Sequence, residues 1–151
     1  MGHVRLTRVY RVSEHADLSG RGGLIASARW HTLGRPIVYT ADHAASAVLE
    51  VLINLDSRRD LPDEFQLLGI ELPELDPATP PTDLDPKNRQ LTRAWGNDWL
   101  ARAETALARV PSVIVPQAWN WLLNPAHPGA RQTAIAETWR HPWDERLRGR
   151  P

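Results

Sequence analysis

Residues 36–55 read PIVYTADHAASAVLEVLINL and place a short strand directly before a helix. The run from Pro36 to Thr40 is short and largely apolar, which predicts a buried strand. Asp42 is a good N-cap, and apolar residues at helical spacing predict a helix from it to about Leu55. The predicted apolar stripe consists of Ala45, Val48, Leu49, Leu52 and Ile53.

The rest of the chain supplies strands and helices that do not alternate regularly. Two helices are predicted at about 85–95 and 98–109, separated at Gly96-Asn97-Asp98, while residues 13–35 and the proline-rich segment 73–86 are predicted loops. The other predicted strands are residues 5–12, 65–72, 113–115, 119–123 and 133–139. This order predicts an α+β fold, because regular βαβ winding would require strict alternation.

Composition restricts the function classes. A length of 151 residues predicts one domain over residues 1–151. The 18 basic and 18 acidic residues give zero net charge, which argues against a general nucleic-acid binder. There is no cysteine, which excludes disulfides, thiol nucleophiles and Cys-ligated zinc. Since no apolar run is long enough for a membrane span, and no signal-peptide core is present, we expect a soluble cytoplasmic protein.

Several common catalytic motifs are missing from the sequence. It contains no G-x-S-x-G elbow and no H-E-x-x-H pair, so neither a serine triad nor a zinc protease site is indicated. It also lacks G-x-G-x-x-G and the P-loop, which disfavours NAD+ as a redox cofactor. We expect no metal.

An ordered set of polar residues carries the functional signal. Arg11 ends the strand-like run Arg5-Leu6-Thr7-Arg8-Val9-Tyr10-Arg11, and Arg29 lies in Ala28-Arg29-Trp30. Glu50 follows Tyr39 by eleven residues, and Ser112 lies in the run from Pro111 to Pro116. The segment Asn120-Trp121-Leu122-Leu123-Asn124-Pro125-Ala126-His127-Pro128 comes next. This order and spacing resembles the RES domain, a family named for its arginine, glutamate and serine.

The resemblance implies a fold, a substrate and a partner. It covers roughly residues 8–147 and implies a compact α+β core similar to ADP-ribosyltransferases, with a cleft for NAD+. RES proteins are toxins of bacterial toxin–antitoxin pairs with Xre-type antitoxins. The implied activity is therefore cleavage of the nicotinamide–ribose bond, with NAD+ as substrate, no cofactor, and an antitoxin that covers the cleft entrance.

The resemblance also implies roles for individual residues. Glu50 is the predicted carboxylate that stabilises the ribose oxocarbenium ion, because nicotinamide leaves as a neutral group from a cation. Arg11 and Arg29 are predicted to hold the diphosphate and ribose, with Arg29 also counted among the catalytic residues. For each of the three, the alternative is an ordinary surface residue.

Three further residues complete the predicted site. Tyr39 would stack on nicotinamide or bond to ribose, its alternative being a half-buried core tyrosine. Ser112 is predicted within an apolar strand as a substrate-contacting, catalytic hydroxyl, or else satisfies a neighbouring backbone group. Asn120 is predicted to bind substrate. Asn124 and His127 are expected to shape a turn, with a cleft-lining role as the alternative for His127.

The sequence leaves the acceptor open between water, phosphate and a protein side chain. Hydrolysis or phosphorolysis would deplete NAD+, whereas a protein acceptor would make the chain an ADP-ribosyltransferase. A non-enzymatic alternative is an interaction domain on a degenerate fold, against which the presence of Arg11, Arg29 and Glu50 argues.

Overall fold

A computed structural model describes residues 6–149, which form a single α+β domain built on one six-stranded antiparallel sheet. The strands are β1 (Thr7–Val12), β2 (Val38–Ala41), β3 (Glu64–Leu72), β4 (Leu107–Pro111), β5 (Trp119–Leu123) and β6 (Ala134–Pro142), and their spatial order is β4-β5-β2-β1-β3-β6. The helices are α1 (Gly22–Ile25), α2 (Ala44–Ile53) and α3 (Arg89–Arg102), with 3-10 turns at Arg58–Asp60, Pro128–Gln132 and Glu145–Arg148. The α+β prediction is confirmed; residues 1–5 and 150–151 of the predicted domain, including the predicted strand start at residue 5, lie outside the described residues.

Side chains alternate between the two faces of the sheet along each strand, and the buried ones form separate apolar clusters. Val9, Leu68 and Ile70 are fully buried and form the centre of one apolar cluster. Helix α3 packs through Trp99 and Leu100 into a second cluster, which also contains Trp30, Ile37, Ala108, Val110 and Leu122. Burial of these large side chains is the main driving force for the fold, and it fixes α3 against β4 and β5.

The centre of the sheet is weakly paired. Strand β1 pairs with β3 along its whole length, from Thr7 to Val12, but its register with β2 has the single pair Tyr10↔Ala41. Strand β2 pairs instead with β5 from Val38 to Ala41. Backbone groups of β2 that face β1 are therefore available to side chains, and a cavity opens at this place.

Helix α2 differs from its prediction at both ends and in its buried face. Its N-cap is His43, whose Nδ1 accepts from the Ala45 amide, whereas the Asp42 carboxylate accepts from the Trp119 amide. The helix ends at Ile53; of the predicted stripe, Ala45 and Ile53 are exposed, whereas Val48, Leu49 and Leu52 are half-buried, so the stripe is only partly correct. Ala47 is the buried residue of α2, and the inner face continues through the cavity-lining Glu50, Val51 and Asn54.

The second half of the chain contains one long helix where two were predicted. Gly96 does not break α3: a Cβ at this position would collide with the Trp30 carbonyl oxygen, so glycine permits close packing. The helix ends at Arg102 because Ala103 adopts a left-handed conformation, with φ 49°. The following strand is Leu107–Pro111 and not 113–115, which lie in the connection between β4 and β5.

Residues 6–149 contain no helix that is both long and apolar enough to cross a bilayer. Helix α3, with 14 residues, is the longest of the helices named above and carries polar residues along its length.

Candidate active site

A cavity of about 600 Å³ lies between β1, β2, α2 and residues 27–30, a segment that is hydrogen-bonded to α3. This volume falls within the range of small-molecule sites. The structure brings five of the six predicted site residues to its walls, namely Arg11, Arg29, Tyr39, Glu50 and Asn120. Glu50 is the single acidic residue among the described lining residues, whereas Arg89 adds a third arginine.

Glu50 reaches the cavity from the inner face of α2. Asn120 on β5 donates from Nδ2 to Glu50 Oε1 over 3.0 Å, which fixes one carboxylate oxygen. The Oδ1 atom of Asn120 is buried and has no partner in the described chain. Asn54 donates from Nδ2 to the Glu50 carbonyl at 2.8 Å and so stabilises the last turn of the helix. The carboxylate is therefore held in one orientation before any ligand binds.

Arg11 lies at the weakly paired centre of the sheet. Its Nη1 donates to the Tyr39 carbonyl over 2.9 Å, a carbonyl left available where β1 and β2 share a single pair. Burial lowers the pKa of Arg11, and the distant Asp17 opposes this only in part. No carboxylate of residues 6–149 lies within 4.0 Å of the Arg11 guanidinium, so the remaining donors can bind an anion.

Arg29 is positioned by contacts to its backbone. Thr92 Oγ1 donates to the Arg29 carbonyl at 2.6 Å, and Arg93 Nε donates to the Ala28 carbonyl at 2.9 Å. Desolvation lowers the pKa of Arg29, and repulsion from Arg89 and Arg93 lowers it further. Its guanidinium has no ion-pair partner within 4.0 Å in the described part of the chain. Attraction to Glu50 opposes this lowering of the pKa only in part, so the three lining arginines outweigh the one lining carboxylate.

Tyr39 lines the cavity, and its hydroxyl is bonded within the protein. The hydroxyl accepts from the Trp30 amide at 3.1 Å and lies 2.7 Å from Nδ1 of His31. Burial raises the pKa of Tyr39, so the phenol is neutral. The ring is placed to contact a ligand, whereas the hydroxyl is not free to donate to one.

The geometry combines one oriented carboxylate with arginines that lack acidic partners. Such a site can bind a phosphate-bearing ligand and stabilise positive charge that develops beside Glu50. Within residues 6–149 no group of three or more His, Cys, Asp and Glu side chains could hold a metal ion.

Comparison with known proteins identifies the family. The model of the RES domain matches residues 5–144. The chain belongs to the RES domain family. Its relatives include "Toxin Res" of Pseudomonas putida, 43% identical over 131 residues that cover 84% of this chain and 90% of the relative. The "Prs ADP-ribosylating toxin" of a Sphingobium species is 37% identical over 153 residues, covering 95% and 94% of the two chains.

A solved structure has the same fold as this RES domain. It is the crystal structure of the Mycobacterium tuberculosis MbcT–MbcA toxin–antitoxin complex, with a TM-score of 0.73. The match covers 92% of this chain and 86% of the other, at 18% sequence identity. At this identity the likeness concerns the fold alone.

The serine of this RES domain is the one predicted site residue that does not line the cavity. Ser112 is 4% exposed, and its Oγ accepts from the amides of Ile114 at 3.2 Å and Val115 at 3.3 Å. Its placement within a strand was wrong, because Ser112 follows the end of β4 at Pro111. The hydroxyl therefore closes the turn towards β5, with the cavity-lining Pro111 and Val113 on either side. Direct participation of Ser112 in the reaction stays a prediction.

Asn124 and His127 shape the turn after β5, as expected. Asn124 is buried, donates from Nδ2 to the Leu100 carbonyl and accepts from the Ala126 amide. His127 Nδ1 accepts from the Gly129 amide and caps a 3-10 turn. Neither residue lines the cavity.

Sequence reasoning missed the supporting residues His31, Arg89, Thr92 and Arg93. Arg89 and Arg93 were two of 17 arginines with no distinguishing motif, and Thr92 reads as an ordinary helix residue. Their importance depends on α3 folding back onto Ala28–Trp30, a contact 63 to 65 residues apart in sequence. The clue that was present is Gly96, which was interpreted as a helix break.

Proposed function

We propose that this chain is the toxin of a toxin–antitoxin pair and that it cleaves the nicotinamide–ribose bond of NAD+. The observation that carries the proposal is the hydrogen bond from Asn120 to Glu50, which orients a carboxylate in the same cavity as Arg11 and Arg29. The names of the relatives support the toxin assignment, since two of them are called toxins.

The proposed chemistry needs few protein groups. The bond between C1′ and the nicotinamide nitrogen breaks, and its electron pair leaves with nicotinamide, which becomes neutral. C1′ then carries oxocarbenium character that Glu50 stabilises electrostatically. An acceptor attacks C1′ and loses its proton. Arg11 and Arg29 hold the diphosphate, and the Tyr39 ring contacts the nicotinamide.

Asn120 acts through Glu50 in this proposal. Its Nδ2 holds Oε1, and its buried Oδ1 is an acceptor that lacks a partner in the described chain. Asn120 also lines the cavity itself. This supports the prediction that Asn120 also binds substrate.

Two classes of acceptor are compatible with the same cleavage. Water or phosphate would make the chain an NAD+ glycohydrolase or phosphorylase. The second candidate is ADP-ribosylation of a protein, which is favoured by the relative named "Prs ADP-ribosylating toxin", because that similarity extends over 95% of the chain.

The test is to incubate purified protein with NAD+ labelled in its ADP-ribose part, either alone, with phosphate or with a bacterial protein extract, and to measure nicotinamide and the product that carries the label. Free ADP-ribose identifies water as acceptor, a phosphorylated ADP-ribose identifies phosphate, and label retained on protein identifies a transferase. In bacteria, expression of the chain should arrest growth and lower cellular NAD+. Absence of nicotinamide release with every acceptor, together with normal growth at confirmed folded expression, would exclude the proposal.

The proposed partner is an Xre-type antitoxin in a hetero-oligomer, acting in the cytoplasm where NAD+ is available. The structural neighbour supports a partner of this kind, since it is a toxin–antitoxin complex. An acidic segment or C-terminal carboxylate would pair with Arg11 and Arg29, which lack acidic partners within the described chain. NAD+ should then compete with antitoxin binding; full NAD+ cleavage by the intact complex would refute steric blocking.

A further inference from the structure

The segment that carries Arg29 is held to the rest of the protein by side chains on both sides. On one side Thr92 and Arg93 of α3 bind the carbonyls of Arg29 and Ala28. On the other side the amide of Trp30 donates to the Tyr39 hydroxyl on β2. The backbone next to Arg29 is therefore fixed although the segment is not part of the main sheet.

The Tyr39 hydroxyl is itself oriented by His31. His31 is 1% exposed, its Nε2 lies 3.3 Å from the Gly23 carbonyl, and its Nδ1 lies 2.7 Å from the Tyr39 hydroxyl. A carbonyl can only accept, so Nε2 carries the proton and Nδ1 accepts from Tyr39. Burial lowers the pKa of His31, which agrees with this neutral tautomer. The phenol proton thus points to His31 and a lone pair points to Trp30.

Tyr39 also binds the other arginine through its backbone. Its carbonyl accepts from Arg11 Nη1 at 2.9 Å. One residue of β2 consequently touches Arg11 with its carbonyl and the Arg29 segment with its hydroxyl. This is a direct structural link between the two cations of the cavity.

We propose that His31 and the Tyr39 hydroxyl are positioning residues that fix Arg11 and Arg29 at the separation needed to bind one diphosphate. The inference rests on the proposed function, because it assigns the supports of the same site. The ring of Tyr39 keeps its separate role as a wall of the cavity. His31 touches no ligand and acts only through Tyr39 and Trp30.

The position of an arginine that clamps the diphosphate matters equally in the ground state and the transition state. Loss of its positioning should therefore raise KM for NAD+ with little change in kcat. Tyr39→Phe keeps the ring and removes the hydroxyl, and His31→Leu removes the acceptor for the phenol. Each is expected to raise KM roughly tenfold, the effect of losing about one hydrogen bond. His31→Gln keeps a donor and an acceptor and should restore most of the affinity.

The matched control is Thr105→Ala. The Thr105 hydroxyl, like that of Tyr39, makes two hydrogen bonds, accepting from Trp99 Nε1 and donating to the Leu107 carbonyl, both at 2.9 Å. It does not line the cavity, so this change should lower thermal stability and leave KM unaltered. An unchanged KM in both Tyr39→Phe and His31→Leu overturns the proposal, and so does an equal rise in Thr105→Ala. If His31→Leu does not fold, Tyr39→Phe decides.

A second measurement does not depend on activity. Amide hydrogen exchange at Trp30 should be slow in the unaltered protein and roughly tenfold faster in Tyr39→Phe, beyond any change at core amides such as Val9. If the unaltered protein releases no nicotinamide, the proposed function fails. The Trp30 exchange rate still tests whether His31 and the Tyr39 hydroxyl position the Arg29 segment. Exchange at Trp30 that is unaffected by the loss of the hydroxyl overturns the inference.

Discussion

Replacing Glu50 with glutamine removes the one carboxylate among the described lining residues of the cavity and little else. The glutamine carbonyl oxygen can accept from Asn120 Nδ2 as Oε1 does at 3.0 Å, so the local hydrogen bond survives. The side chain keeps its size, and the Asn54 bond to the backbone carbonyl is unaffected. We therefore expect a folded protein with nearly unchanged thermal stability.

The expected loss lies in catalysis. A neutral amide cannot stabilise an oxocarbenium ion as a carboxylate does, and loss of one positioned electrostatic group costs about 10²–10³ in rate. This corresponds to roughly 3–4 kcal/mol of transition-state stabilisation. Since Arg11 and Arg29, the proposed diphosphate ligands, remain, kcat should fall while KM changes little.

The assay is nicotinamide release at saturating NAD+, with Glu74→Gln as control. Glu74 is an exposed glutamate outside the cavity, so the control makes the same chemical change at a position that does not contact the site. Asn120→Ala should lower kcat less than Glu50→Gln, and the double variant should be no worse than Glu50→Gln, because Asn120 acts largely through the carboxylate. A rate for Glu50→Gln near that of Glu74→Gln would refute the assignment of the carboxylate.

Three more outcomes are expected. Arg11→Lys and Arg29→Lys keep the charge but lose the planar fork, so the rate of NAD+ turnover below saturation should fall roughly tenfold in each, through a higher KM; unaltered kinetics in both would make them ordinary cations. Ser112→Ala leaves two amides without their acceptor and should cost about 1–3 kcal/mol in the free energy of unfolding, with a smaller loss of kcat than Glu50→Gln; a larger loss of kcat would favour direct participation. Burial lowers the pKa of His31 from its usual 6.5, so the unfolded chain binds the proton at a higher pH than the folded protein does. The contribution of neutral His31 to the free energy of unfolding is therefore fully present above about pH 6.5 and decreases below it. A melting temperature that depends equally on pH in His31→Gln would contradict this.

The strand–helix unit at residues 36–55 was predictable because its signals are local. The apolar run of β2 and the helical spacing of α2 both follow from the order of side chains. The buried face of α2 was predicted less well, because alanine and valine occur all around the circumference of the helix and more than one face is apolar. The sheet selects the face that contains Ala47 and Glu50, and this selection depends on tertiary packing.

The errors in the second half have one physical origin. Gly96 was interpreted as a helix break, since glycine is a poor helix former. In the folded protein the missing Cβ lets α3 approach the Trp30 backbone, and packing of Trp99 and Leu100 outweighs the local propensity. The true end of the helix, Ala103 in a left-handed conformation, carries no glycine to mark it. These contacts join positions more than 60 residues apart, which no local pattern reveals.

Charge in the cavity connects the proposed catalysis with the proposed inhibition. Burial lowers the pKa of Arg29, repulsion from Arg89 and Arg93 lowers it further, and attraction to Glu50 opposes this only in part. Any anion that enters relieves this repulsion, whether it is the diphosphate of NAD+ or an acidic segment of an antitoxin. Under the proposed function, a substitution of Arg11 or Arg29 that weakened the antitoxin would weaken substrate binding as well. On that proposal, no substitution at these two positions would readily remove inhibition and leave the activity intact.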